Sequence, residues 1–304
     1  MGAVIQPIPC HSPGSLNRNA RKAIAFRVTD LSAIMNPRNL ALAITTVLVG
    51  FGTDPGYAQT SELYMLYSPN VIYPVGTTSV YQGGNLLRSW SHAGPYEISL
   101  AAVGGSVRQS GVFSGFSGSE YSPAGVPTGT HYTAAPYNFD AASDGNWIYG
   151  WNLESATLMR YDLNWNNRQS LFSLGSSYSY AFMGITYAPR NNSVWLSPWN
   201  NTGTWDPKGY LYDYSLDGRL LGTLSLADGE SRGAGLAFDS ADDTLWFFNW
   251  TDQRYEQYSR NGALLGTMTG MDRIYGAEFA VVPEPSALGL FGAAALLLWL
   301  RNKR

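Results

Sequence analysis

A Trp-x-x-x-Trp spacing occurs three times, at Trp147/Trp151, Trp195/Trp199 and Trp246/Trp250, with copies 48 and then 51 residues apart. Each copy follows a short apolar segment: Tyr137-Asn138-Phe139-Asp140, Gly184-Ile185-Thr186-Tyr187 and Gly235-Leu236-Ala237-Phe238. Each precedes a tyrosine segment marked by Tyr161, Tyr214 or Tyr258. In the last two copies a Gly-x-Leu-Leu-Gly-Thr segment comes next, starting at Gly218 and again 44 residues later at Gly262. No stretch within residues 59–282 has helical periodicity. Short apolar runs alternate with Gly, Asn, Asp and Ser clusters, the pattern of strands and turns. A period in this range with three or four short strands per unit is that of a β-propeller blade.

Each unit reads as an inner strand, a middle Trp strand, a Tyr strand and an outer Leu-Leu-Gly-Thr strand. The turns Asp217-Gly218 and Asn261-Gly262 join the last two. Two weaker units precede these. Residues 63–67 with Tyr81-Gln82-Gly83-Gly84-Asn85-Leu86-Leu87 form a unit lacking its inner strand. Residues 96–108 form a degenerate second unit, followed by a Gly/Ser/Pro-rich loop over residues 111–130. Near the end, Tyr275-Gly276-Ala277-Glu278-Phe279-Ala280-Val281 repeats the inner-strand pattern, with Gly276 lying 41 residues after Gly235. Supplying this strand to the first unit closes a ring and removes a sheet edge. The 224 residues from 59 to 282 divided by a period of about 45 give five blades. Four or six blades, and a β-sandwich as the rival fold, stay compatible with the pattern. The repeat resembles the loose NHL- and YncE-like propeller blades.

The ends have a different character, and the organisation reads as 1–58, 59–282 and 283–304. Met35-Asn36-Pro37-Arg38 leads into an apolar run over residues 40–51 and then Gly56-Tyr57-Ala58. That is the charged, apolar and small-x-small order of a secretory signal, with cleavage expected after Ala58 and export through the Sec translocon. The run is shorter than the ~20 residues of a spanning helix. The 34 residues before Met35 are either a long leading segment or lie upstream of the true start at Met35. They contain the only cysteine, Cys10, so the exported body has no thiol chemistry and no disulfide.

At the other end, Val282-Pro283-Glu284-Pro285-Ser286 precedes an apolar stretch over residues 287–300, read as a short helix, and the basic cluster Arg301, Lys303 and Arg304. These residues, about 25 of the chain, resemble the bacterial PEP-CTERM sorting signal. The resemblance implies a transient stay in the inner membrane of a Gram-negative bacterium that makes exopolysaccharide. Recognition by an exosortase-type protease and delivery to the cell surface or matrix would follow. The rival reading is an ordinary C-terminal membrane anchor.

Charge follows the same division. Residues 1–58 carry a net charge of +3, residues 59–282 one of -8 with Lys208 their only lysine, and residues 283–304 one of +2, for a total of -3. An acidic, aromatic body argues against nucleic acid as a partner and against disorder. It also disfavours polyanionic ligands.

Chemistry is sparse. Alternate residues of a strand share a face, so the Trp strands present aromatic faces that suit either sugar stacking or filling the wedge between blades. Recurrence at one repeat position favours filling. Trp165 and Trp205, in Asn/Asp-rich segments outside the repeat, are the ligand-binding candidates. Asp239, Asp242 and Asp243 could hold Ca2+ or simply form a turn, as Asp144 does in the equivalent place; otherwise no metal or cofactor is expected. Only His92 and His131 remain in the body, Gly115-Phe116-Ser117-Gly118 falls short of a nucleophile elbow, and Gly104-Gly105-Ser106 lacks the lysine of a phosphate loop. No catalytic residue is assigned. The expectation is a non-catalytic binding or structural propeller associated with exopolysaccharide or biofilm. The alternative is a secreted propeller enzyme acting on extracellular glycan, with polar residues converging at one end of the channel.

Overall fold

The computed structural model describes residues 61–68, 76–175, 182–198, 209–226, 233–271 and 273–280. Contacts divide the chain into two units, Met1–Tyr57 and Ala58–Arg304, and every described residue lies in the second. Among the described residues there is no helix, and none is therefore long and apolar enough to cross a membrane. The signal segment, Ala58, the sorting motif and the apolar C-terminal stretch lie outside the described residues.

Five four-stranded antiparallel sheets make five blades. The first has β1 (Leu63–Tyr67), β2 (Thr77–Gln82) and β3 (Asn85–Ser91). The second has β4 (Glu97–Val103), β5 (Ser106–Gly111), β6 (Gly118–Tyr121) and β7 (Pro127–Tyr132). The third has β8 (Ala141–Ser143), β9 (Ile148–Asn152), β10 (Thr157–Tyr161) and β11 (Gln169–Ser173). The fourth has β12 (Phe182–Ala188), β13 (Ser193–Pro198), β14 (Tyr210–Ser215) and β15 (Leu220–Ser225). The fifth has β16 (Ala237–Asp239), β17 (Thr244–Asn249), β18 (Arg254–Tyr258) and β19 (Leu264–Met268). The last strand, β20 (Ile274–Phe279), pairs with β1 and completes the first blade. Leu63 lies opposite Phe279, and the Ala280 N–H donates to the Glu62 carbonyl at 2.8 Å. The closing strand and the five-blade count agree with the repeat, and the β-sandwich is excluded.

One reading needs correction. Residues 111–130 are not a single loop, because they hold β6 and most of β7. Their strands escaped notice because they are polar: β6 reads Gly-Ser-Glu-Tyr, and β7 is exposed up to Tyr132. Gly118 is required in β6, since a Cβ there would lie 1.9 Å from the Gln109 carbonyl oxygen.

Five apolar clusters occupy the five wedges between neighbouring blades. Ala101 and Tyr132 meet Ile148, Tyr161 and Trp165 between the second and third blades. Tyr149 and Trp151 meet Phe182, Ile185 and Leu196 between the third and fourth. Trp195 and Leu211 meet Leu236, Phe238 and Phe247 between the fourth and fifth, and Phe248 and Tyr255 meet Leu63, Met65 and Phe279 at the closing seam. Between the first and second blades, Tyr64, Leu66 and Val80 meet Ile98, Leu100 and Tyr121. Wedges widen outward, so the large rings at alternate positions of the second strands are what fills them. Outer strands bury little. Leu87, Leu221 and Leu265, at one repeat position in the first, fourth and fifth blades, are 45%, 37% and 55% exposed.

Candidate functional site

Two carboxylates occupy the axis where the inner strands converge. Asp140, just before β8, is 1% exposed and accepts four backbone N–H bonds. Its Oδ1 accepts from Ala141 at 2.9 Å and Ala277 at 3.0 Å, and its Oδ2 from Ile185 at 3.1 Å and Leu236 at 3.0 Å. One side chain thus ties its own blade to the fourth, fifth and first. Glu278, on β20, completes the circle: its Oε1 accepts from Ser143 N–H at 2.6 Å and its Oε2 from Ala102 N–H at 2.5 Å. Between them the two acids join all five inner strands. Burial pushes both carboxyls well above the usual range, with the amide donors working against it and the Asp140 charge adding to the rise at Glu278.

A second buried polar group lies between the first two blades. His92 Nε2 lies 3.1 Å from Thr78 Oγ1, and that hydroxyl oxygen accepts from Gln109 Nε2 at 2.5 Å. Beside it Glu97 accepts from Ser119 Oγ at 2.5 Å and Tyr121 Oη at 2.7 Å, and burial raises its pKa. The Ser119 hydroxyl therefore faces a carboxylate directly, with His131 Nδ1 at 3.5 Å. A nucleophile triad instead needs the acid behind the imidazole. Burial lowers the His92 pKa to about 3. A histidine depressed on folding contributes stability that is present above its unfolded pKa and lost as pH falls toward the folded value. Asp140 and Glu278, being raised, act in the opposite direction, so a variant comparison is needed. The unfolding free-energy difference between wild type and His92→Gln is expected to fall by about 1.4 kcal/mol per pH unit between roughly pH 6 and pH 4. Urea titrations at four pH values check it; a pH-independent difference would show that His92 stays protonated in the fold.

The structure places Trp165 away from any open surface. Its ring is 2% exposed and packs on Tyr161 with centroids 5.4 Å apart. The Asn/Asp-rich segment around it builds the turn. Asp162 Oδ1 accepts from the N–H groups of Asn164 at 2.9 Å and Asn166 at 2.8 Å, and Asp162 Oδ2 from Asn167 Nδ2 at 2.7 Å. Trp165 itself takes a positive φ of 60° to turn its indole inward. Trp205 lies outside the described residues, as does Trp199. Asp239, Asp242 and Asp243 follow their turn-forming reading. Asp239 Oδ1 accepts from Ser61 Oγ at 2.8 Å and Ala241 N–H at 2.9 Å, Asp242 Oδ1 caps Thr244, and Asp243 lies 3.9 Å from both Arg190 and Arg260. Among the described residues no three acids, histidines or cysteines are grouped as a metal would require.

The repeated Trp position, by contrast, is not equivalent from blade to blade. Trp147 has the Arg160 guanidinium 4.3 Å from its ring centroid. Trp195 has Arg260 of the next blade at 4.8 Å, and the same guanidinium lies 5.5 Å from Phe238. At the closing seam, Trp246 and Phe279 take the places of Trp195 and Phe238, with ring centroids 6.0 Å apart. Strand register identifies what replaces Arg260. Tyr258 faces Leu264 and Tyr81 faces Leu86; the turn after Tyr81 is one residue shorter, and its first residue, Gly83, stands where Arg260 opens the turn after Tyr258. Gly83 has no side chain to close the wedge, and a cleft of about 320 Å3 opens there. Its lining includes Trp246, Tyr81, Asp239, Asp242, Gln257 and Gly266. Trp246 Nε1 donates to Thr244 Oγ1 at 3.1 Å, and Gln257 Nε2 donates to Asp242 Oδ2 at 3.1 Å, which fix ring and amide against the wall. The signal for this site was in the sequence as the Gly83-Gly84 pair in place of an arginine-bearing turn.

No protein-family model matches the chain, and no curated relative is found. Solved structures similar to it include one titled as a nidogen/laminin complex, at TM-score 0.48 and 15% identity, covering 73% of this chain and 98% of that one. A Bacteroides thetaiotaomicron protein of unknown function gives TM-score 0.49 and 11% identity over 73% of this chain and 68% of its own. Virginiamycin B lyase from Staphylococcus aureus gives TM-score 0.39 and 13% identity over 68% of this chain and 73% of its own. Identities this low assign no activity.

Proposed function

We propose that the chain is an exported, non-catalytic binding propeller of a bacterial cell surface or matrix, with glycan as its ligand class. One observation carries the non-catalytic part. The acids at the channel, Asp140 and Glu278, have their oxygens committed to backbone amides that hold the blades together. A carboxyl used for general acid or base work needs an oxygen turned to the substrate. The export part rests on the small-x-small site at Ala58 and the Val282-Pro283-Glu284-Pro285 tail with its basic end. Processing by an exosortase-type protease would then release the ring from its transient place in the inner membrane.

Because every strand of the ring lies between residues 61 and 280, a 59–282 fragment is the reagent for the test. On a glycan array it is expected to bind at least one class of polysaccharide without releasing reducing ends from it. A blank array would count against glycan as the ligand, and turnover would favour the enzyme alternative.

A further inference from the structure

The geometry points to the cleft between the fifth and first blades as a binding site for an uncharged pyranose unit, stacked on Trp246. This rests on the glycan-binding reading and assigns it a place and a ligand chemistry. Three features of the cleft carry it. First, Trp246 is the copy of the repeated tryptophan whose neighbouring blade offers Gly83 where Arg260 covers Trp195. Tyr255 stacks on one side of this ring with centroids 5.9 Å apart, so a pyranose would stack its apolar face on the other. Second, the residues that line the recess include ones able to bind hydroxyls: Asp239, Asp242, Gln257 and Tyr81. Apolar cavities with a few placed polar groups are the usual form of small-ligand sites. The carboxylates and the Gln257 carbonyl oxygen can accept from sugar hydroxyls, while the Gln257 NH2 is already held by Asp242 and Thr244. Third, the lining holds two acids and no Lys, Arg or His. That balance repels uronates and sulfated sugars and selects an uncharged ring. The volume of about 320 Å3 admits one or two sugar units, which makes this a contact on a longer chain.

Gly266 gives a clean way to close the cleft. It lies on β19 at an ordinary backbone angle, and a Cβ there would meet only Gln257 Oε1 at 3.5 Å. Gly266→Tyr therefore puts a ring into the recess with little cost to the sheet, and Trp246→Leu removes the stacking surface independently.

The test uses the full-length protein, its Gly266→Tyr and Trp246→Leu variants, and malto-, cello- and laminarihexaose as probes, with polygalacturonate as the charged comparison. Binding is read by calorimetry and tryptophan fluorescence, and folding by thermal melts. At least one neutral hexasaccharide is expected to bind, with affinity at least tenfold lower in both variants. If Gly266→Tyr fails to fold, the Trp246→Leu result alone decides. Wild-type affinity in the folded variants would overturn the cleft while leaving the glycan-binding reading intact. Cleft-dependent preference for polygalacturonate would overturn the uncharged assignment, and no binding of any probe would overturn both.

Discussion

Asp140→Ala is expected to lower the unfolding free energy by about 4 kcal/mol or more and the Tm by roughly 10 °C. The reasoning is a count of orphaned donors. Four amide N–H groups, from Ala141, Ile185, Leu236 and Ala277, meet on this one carboxyl, and it is buried. Leaving a buried donor unsatisfied costs about 1–3 kcal/mol each. A water entering the vacated space would recover part of that sum. Asp140→Asn is the sharper probe because it keeps the shape. Its amide has a single acceptor oxygen, so two of the four N–H groups would face an NH2 group instead. A loss of about half that of the alanine variant is expected. Asp217, exposed at a turn, serves as the control, and its asparagine variant should be far less affected than either Asp140 variant. Chemical denaturation of the three variants would decide, and an Asp140→Asn protein as stable as wild type would remove the axial acids from the account of what joins the blades.

That role was not legible in the sequence, although the residue was. Asp140 ends Tyr137-Asn138-Phe139-Asp140, a segment that the repeat marks as an inner strand by its place before a Trp pair, although the strand, β8, begins only at Ala141. Three of its four partners are backbone amides contributed by segments 45, 96 and 137 residues further along. Backbone donors have no side-chain identity, so no pattern of residue types could show where they meet. Closure was legible because β20 copies side chains of other inner strands, with Gly276 and Phe279 standing where Gly235 and Phe238 stand. Trp165 misled for the opposite reason. Asn164, Asn166 and Asn167 mark a loop by composition, and composition does not say that a positive φ swings the indole into the core. The cleft was hidden by repetition itself. Treating the Trp positions as equivalent averaged away the one turn, Gly83-Gly84, at which the cover is missing.

A chain ended at residue 273 is expected to yield no soluble monomer, whereas a permuted chain that carries residues 274–280 ahead of residue 61 is expected to fold with a Tm within about 5 °C of wild type. Truncation removes the whole of β20, all six residues of which are buried. It strips Ile274, Ala277 and Phe279 from the seam cluster and Tyr275 from the cluster beside it. It also takes away Glu278, the link from the first blade to the second and third, and leaves β1 with an open, apolar edge. Permutation keeps every one of these contacts. Leu63 already lies opposite Phe279, and Ala280 already bonds to Glu62, so a turn of about two to four residues joins the new ends as a hairpin. The contact that spans the full ring in the natural order becomes local in the permuted one. Refolding limited by that long closure should therefore accelerate, by about tenfold or more, while the unfolding rate changes little. Stopped-flow fluorescence of both chains measures this directly. Equal refolding rates would mean that closure follows the rate-limiting step, and a truncated chain that folds as well as wild type would mean that the first blade is complete without its borrowed strand.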